Sequence, residues 1–100
     1  MSNEEEKIRI EQNLQVIREY LLGQFKGFEL TKDRSDGSLY HWFTMTDTKS
    51  GTQYTLKVLC LKLSDRDKSP EKIKRQLDIE EVANKMRAAP KGKYFRWGNF

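Results

Sequence analysis

Two clusters of turn-forming residues bracket the run Leu39–Thr46, and they constrain the fold more than any other feature of the chain. Asp36-Gly37 is a dipeptide that closes tight β-hairpins, because both positions tolerate positive φ. Asp47, Thr48, Lys49, Ser50 and Gly51 form the second cluster. Around them lie Gly27–Asp33, Leu39–Thr46 and Thr52–Leu63, three runs with the alternation or the aromatic and β-branched content of strands. A three-stranded antiparallel meander follows.

The turns also set the register. If Ser35 faces Ser38, Leu30 lies opposite Phe43 and Phe28 opposite Met45. If Asp47 faces Thr52, Phe43 lies opposite Leu56 and Met45 opposite Tyr54. Both hairpins then select one inner face: Phe28, Leu30, Leu39, Phe43, Met45, Tyr54, Leu56 and Val58. Thr31, Tyr40, Trp42, Thr44, Thr55, Lys57 and Leu59 fall on the other. A slip of one residue would exchange the two faces.

Helices flank the meander. Ile10, Leu14, Ile17 and Leu21 recur at helical spacing, which predicts a helix over about residues 3–22. Ser2 with Glu5 fits a capping box at its start, and Gly23 fits a left-handed cap at its end. Ser64–Lys68 is polar and reads as a loop. Ser69-Pro70 then resembles an N-cap followed by proline at the first helical position. Ile73 and Leu77 lie on one side, whereas Ile79, Val82, Ala83 and Met86 lie on another, so two pieces are expected: a short turn over Pro70–Leu77 and a docked helix over Ile79–Ala89. Asp78 with Glu81 is a second capping box. One unbroken helix is the alternative.

The expected fold class is therefore α+β, a two-layer α-β-β-β-α sandwich. Residues 1–90 would form the single domain, and residues 91–100 an aromatic, basic tail, either loose or packed on the sheet. One hundred residues at 36% hydrophobic content hold one small core. No apolar run has the roughly 18–20 residues that span a bilayer, so no membrane partner is expected. Glu4, Glu5 and Glu6 oppose the basic start of a secretory signal. A lone cysteine, Cys60, excludes an internal disulfide and suits a reducing, cytoplasmic setting.

Little in the chain suggests catalysis. His41 and Cys60 would be diagonal neighbours, about 7–8 Å apart, on the face assigned to the core, where a thiol packs as a small hydrophobe. Asp65 and Asp67 alternate with Arg66 and Lys68, as solvated loop charges do. Asp33 and Asp36 are accounted for by a turn. The glycines fall singly, so no phosphate-cradling loop is present. With one His and one Cys, a closed zinc site is not expected. Neither an enzyme nor a cofactor is expected.

Binding surfaces are more promising. The formal charge of +4 divides unevenly: residues 1–50 hold seven basic and nine acidic side chains, residues 51–100 twelve and six. Tyr40, Trp42 and Lys57 together would form an aromatic platform with a cation, of the kind sheets offer to unstacked bases. Lys72, Lys74 and Arg75, then Lys91, Lys93, Tyr94, Arg96 and Trp97, would extend the surface with charge and further rings. The element order is similar to that of double-stranded-RNA-binding domains in topology. That family's lysine cluster opens its last helix, where this chain has Ser69-Pro70-Glu71-Lys72-Ile73-Lys74-Arg75, a different pattern. The expectation is a non-enzymatic module binding single-stranded nucleic acid or RNA. The alternative is a protein-interaction or regulatory module, such as a homodimer through the outer sheet face.

Overall fold

The apolar stripe Leu14, Ile17, Leu21 continues to Phe25, and that extra position decides where the first helix ends. In a computed structural model that describes residues 2–37, 39–64, 69–90 and 93–98, α1 runs Ser2–Gln24. The Phe25 amide still donates to the Leu21 carbonyl at 2.9 Å, carrying the Phe25 ring into the core. Gly23 therefore lies inside the helix, and the cap expected there is corrected. The chain turns at Gly27 instead, where φ is 85°, a conformation that costs an L-residue with a side chain roughly 1–2 kcal/mol. The Ser2 capping box rests on a side chain outside those described.

The protein is α+β, with an open, mixed four-stranded sheet in the order β1 (Phe28–Ser35), β2 (Tyr40–Asp47), β3 (Gln53–Leu59), β4 (Phe95–Trp97). The first three strands are the antiparallel meander. The second hairpin has the expected register: the Asp47 amide donates to the Thr52 carbonyl at 2.8 Å, and Phe43 pairs with Leu56 and Met45 with Tyr54.

The first hairpin differs from expectation. Ser35 pairs with His41, so the connection is longer than a two-residue turn; Ser38 lies outside the described residues. Leu39 sits in this connection and is half exposed, instead of joining the inner face. Thr31 forms a β-bulge, which shifts the register from Leu30–Met45 to Lys32–Thr44. An extra residue inverts the alternation beyond it. Phe28 and Leu30 keep their inner positions, while Asp33 and Ser35 turn inward and Lys32 and Arg34 outward.

The run Thr52–Leu63 is not one long strand. It ends at Leu59 and continues as α2 (Cys60–Ser64). The Cys60 amide donates to the Leu39 carbonyl at 2.7 Å, and Asn13 Nδ2 on α1 donates to the Leu63 carbonyl at 2.8 Å. Those bonds hold the turn of helix that swings Leu63 into the core.

Two helices follow, α3 (Pro70–Ile79) and α4 (Val82–Ala88). Ser69 caps α3 by accepting from the Lys72 amide, with Pro70 at the first helical position. The first piece is a ten-residue helix, longer than the short turn expected. Ile79 belongs to its far end and is exposed, so it is not part of the docked face of α4. The break falls at Glu81, which is left-handed with φ 51° and makes no side-chain cap, contrary to the Asp78–Glu81 capping box. Tyr20 of α1 spans this break: its hydroxyl donates to the Leu77 carbonyl and accepts from the Ala83 amide at 3.0 Å. The loop expected over Ser64–Lys68 falls largely outside the described residues.

The largest correction concerns residues 91–100. Phe95–Trp97 forms β4, which pairs parallel to β3 with Lys57 beside Arg96 and Val58 beside Trp97. The sheet thus has a fourth strand beyond the three-stranded meander, drawn from the segment expected as a tail. Alternation along β4 sends Trp97 into the core, where it is 1% exposed, and turns Arg96 to the opposite face. The indole Nε1 donates to Glu80 Oε1 at 3.2 Å, and Lys62 lies over the ring at 4.6 Å. Gly98 then passes so close to Leu59 that a Cβ would sit 3.1 Å from the leucine Cβ.

The core lies between one sheet face and the helices: Phe43, Met45, Leu56, Val58 and Trp97 meet Ile17, Leu21, Leu63, Ile73, Leu77 and Met86. Among the described residues no helix is long and apolar enough to cross a membrane.

Because Trp97 is a core side chain, Trp97→Ala should destabilise the protein by about 3–5 kcal/mol, whereas Arg96→Ala should change stability by about 0.5 kcal/mol at most. Urea titration followed by far-ultraviolet circular dichroism separates the two; equal effects would show that β4 is not part of the cooperative unit.

Candidate functional site

The bulge at Thr31 gives the two sheet faces their chemistry. On the helix side it places Asp33 beside His41, which faces inward from β2. Asp33 Oδ1 lies 2.6 Å from His41 Nε2, and Asp33 Oδ2 accepts from Arg18 Nε of α1. Arg18 also donates to Glu11 at 2.7 Å. Burial works to raise the Asp33 carboxyl, but hydrogen bonds from Arg18 and His41 outweigh it and hold the group below the ordinary carboxylate range. The cluster ties α1 to the first hairpin. Asp33 is thus a strand residue and not part of a turn, a correction to the sequence reading.

His41 spends its Nε2 on Asp33 and its ring on Phe43, at 4.8 Å between centroids. Cys60 opens α2, and burial together with the nearby Asp36 charge pushes its thiol up. That direction opposes thiolate formation. Among the described residues no group of three or more His, Cys, Asp or Glu side chains is arranged to hold a metal. Asp65 and Asp67 lie outside them.

On the opposite face the sequence-derived platform assembles with an addition. Lys57 Nζ lies 4.2 Å from the Tyr40 ring centroid, 4.9 Å from Trp42 and 5.0 Å from Tyr94. Tyr94 meets Trp42 edge-on at 5.2 Å. The ammonium thus sits among three rings, two from neighbouring strand positions and one from the segment leading into β4. Trp42 is held in place by its Nε1, which donates to Asp36 Oδ2 at 3.0 Å. Lys32 lies over the same indole at 4.9 Å.

Register extends the charge across the sheet. Arg34 pairs with Trp42, Trp42 with Lys57, and Lys57 with Arg96, so one row reads Arg-Trp-Lys-Arg over four strands. At the usual strand spacing that row is about 14 Å long. The neighbouring rows carry hydroxyls: Thr31 bonds Thr46 at 2.7 Å and Thr44 bonds Thr55 at 3.1 Å. Pairing places the acidic Glu29 on this side, and the Asp36 carboxylate reaches it at Trp42.

The remaining sequence candidates are elsewhere. Trp97 is buried, so it offers no surface. Lys72, Lys74 and Arg75 are exposed on α3, whose Ile73 and Leu77 enter the core from the helix side. They do not join the row. Lys91 lies outside the described residues, and Lys93 is exposed next to Tyr94. Lys32 and Arg34 were missed because simple alternation from Leu30 points Lys32 inward. No protein-family model, curated protein or solved structure matches the chain.

Since the folded Asp33 carboxyl lies below its unfolded value of about 3.9, its ionised form contributes stability at neutral pH that is lost as pH falls through the folded value. Asp33→Asn should be less stable than the parent at pH 7, with the gap closing as the medium is acidified below about 4. Thermal melts over a pH series read this out; a constant gap would mean that the carboxylate charge is immaterial.

Proposed function

We propose that the protein is a small, non-enzymatic module that binds single-stranded nucleic acid, RNA included, on the sheet face opposite the helices. The observation that carries this reading is the caged Lys57 within the Arg34-Trp42-Lys57-Arg96 row. Rings offer bases a stacking surface worth about 1–3 kcal/mol per base, and flanking cations release counterions when they meet phosphates. In this reading the arrangement is a two-layer sandwich, with helices behind the sheet and ligand in front. A reducing, cytoplasmic setting suits the free Cys60 thiol.

Electrostatics favour this over a homodimer through the same face. Two copies apposed there would bring Lys32, Arg34, Lys57 and Arg96 of each against their like, with Glu29 and the Asp36 that holds Trp42 as the acids on that side. Like charges brought together oppose association and favour a polyanion.

Anisotropy titration of a fluorescein-labelled oligouridylate at low salt tests the reading. Trp42→Ala should weaken binding by about 1–3 kcal/mol, and Lys57→Ala should also lower the salt dependence. The Lys72→Ala, Lys74→Ala, Arg75→Ala triple variant on α3 should bind nearly as the parent does. Absence of binding by the parent, or loss in the α3 variant alone, would overturn the proposal.

A further inference from the structure

A groove of about 620 Å³ runs along the edge of the sheet next to the aromatic face. β4 pairs with β3 from Leu56 onward, so it leaves the earlier part of β3 beside this groove. Thr52, Gln53 and Thr55 form one wall; Arg87, Pro90 and Lys93 form the other. Among the described residues that line it, none is Asp or Glu. Arg87 is fixed there by bonds to the Gln24 carbonyl at 2.6 Å and to Asn84 Oδ1 at 3.0 Å, with its guanidinium over the Phe25 ring.

The groove is continuous with the aromatic face at two points. Thr55 faces the platform side, bonding Thr44, and also lines the groove. Lys93 lines the groove and immediately precedes Tyr94, whose ring is part of the Lys57 cage. A chain leaving the platform past Tyr94 therefore enters a channel of hydroxyls, an amide and two cations, with Met86, Ala89 and Pro90 as its apolar part.

We infer that this edge groove holds the phosphodiester backbone of the nucleotides that flank those stacked on Trp42 and Tyr94, making the ligand a single strand longer than the platform alone can cover. The inference rests on the proposed nucleic-acid reading and adds a second subsite to it. A lining that carries hydroxyls and cations and, among the described residues, no carboxylate suits a polyanion with sugar hydroxyls, and Lys93 sits where the strand would cross the sheet edge.

The test compares a labelled uridine trinucleotide with a nonanucleotide, on the parent protein and on Lys93→Ala and Gln53→Glu, two exposed positions where a fold defect is readily checked by circular dichroism. The nonanucleotide should bind the parent about tenfold tighter than the trinucleotide, equivalent to about 1.4 kcal/mol. Both substitutions should erase most of that gain, with a smaller effect on trinucleotide affinity. For Lys93→Ala the log–log salt slope of the nonanucleotide should fall by about 0.7, one contact to a single strand. A trinucleotide that binds, with a nonanucleotide no tighter, overturns the groove and leaves the platform standing. Absence of binding by either overturns both. A polyglutamate peptide that matches the nonanucleotide in affinity and is lost with Lys93→Ala would make the groove an acidic-peptide site and overturn the inference.

Discussion

One extra residue in β1 governs how charge is distributed over this molecule. Without the bulge at Thr31, alternation from Phe28 and Leu30 would drive Lys32 and Arg34 toward the helices and Asp33 toward solvent. Two cations would then meet the apolar core, and Arg18 would face it without its carboxylate. With the bulge, Asp33 meets Arg18 and His41 on the inner side, and Lys32 and Arg34 reach the aromatic side. The anchor of α1 and the cationic row on the opposite face are consequences of the same backbone irregularity. Bulges are known for re-aiming side chains near functional surfaces; here one insertion re-aims three charged side chains.

The helices rely on polar bonds made at element ends. Asn13 holds the α2 turn, Tyr20 bridges the α3–α4 break, and Arg87 binds the end of α1. Each satisfies a backbone group that the end of a helix or a break would otherwise leave without a partner. A left-handed Glu81 is tolerated between α3 and α4 because the Tyr20 hydroxyl and the Trp97–Glu80 bond define both sides of the break.

Much of this was readable from sequence where local chemistry and periodicity agree. The α1 stripe, the Ser69-Pro70 start and the Asp47–Gly51 turn each combine a boundary signal with an apolar pattern, and the β2–β3 register followed from them. What escaped lacked such agreement. A bulge residue has no compositional mark, so Asp33 was assigned to a turn and Lys32 to the wrong side. Leu59, Leu61 and Leu63 alternate like a strand, yet Leu59 and Leu63 also have helical spacing, and α2 was hidden by the overlap. Phe95-Arg96-Trp97 is too short to show any period, so Trp97 was grouped with the surface rings when it is a core residue. In the proposed site, Tyr40, Trp42 and Lys57 come from pairing across β2 and β3, and Tyr94 and Arg96 from composition alone. Lys72, Lys74 and Arg75 were grouped with them by charge, which carries no information about which layer a residue occupies.

β4 is held by three residue pairs with β3 and by the indole of Trp97. It is also the parallel strand, separated from its partner in sequence by α2, α3 and α4, so its pairing closes a long loop where the hairpins close short ones. Tyr94 precedes it directly. Any local opening that lifts β4 from the edge withdraws the tyrosine from Lys57 and the tryptophan from the core in one event. The amides that bond across the β3–β4 seam and the ring environment of Lys57 should therefore share one opening free energy, so that the integrity of the outer surface reports on the packing of the interior.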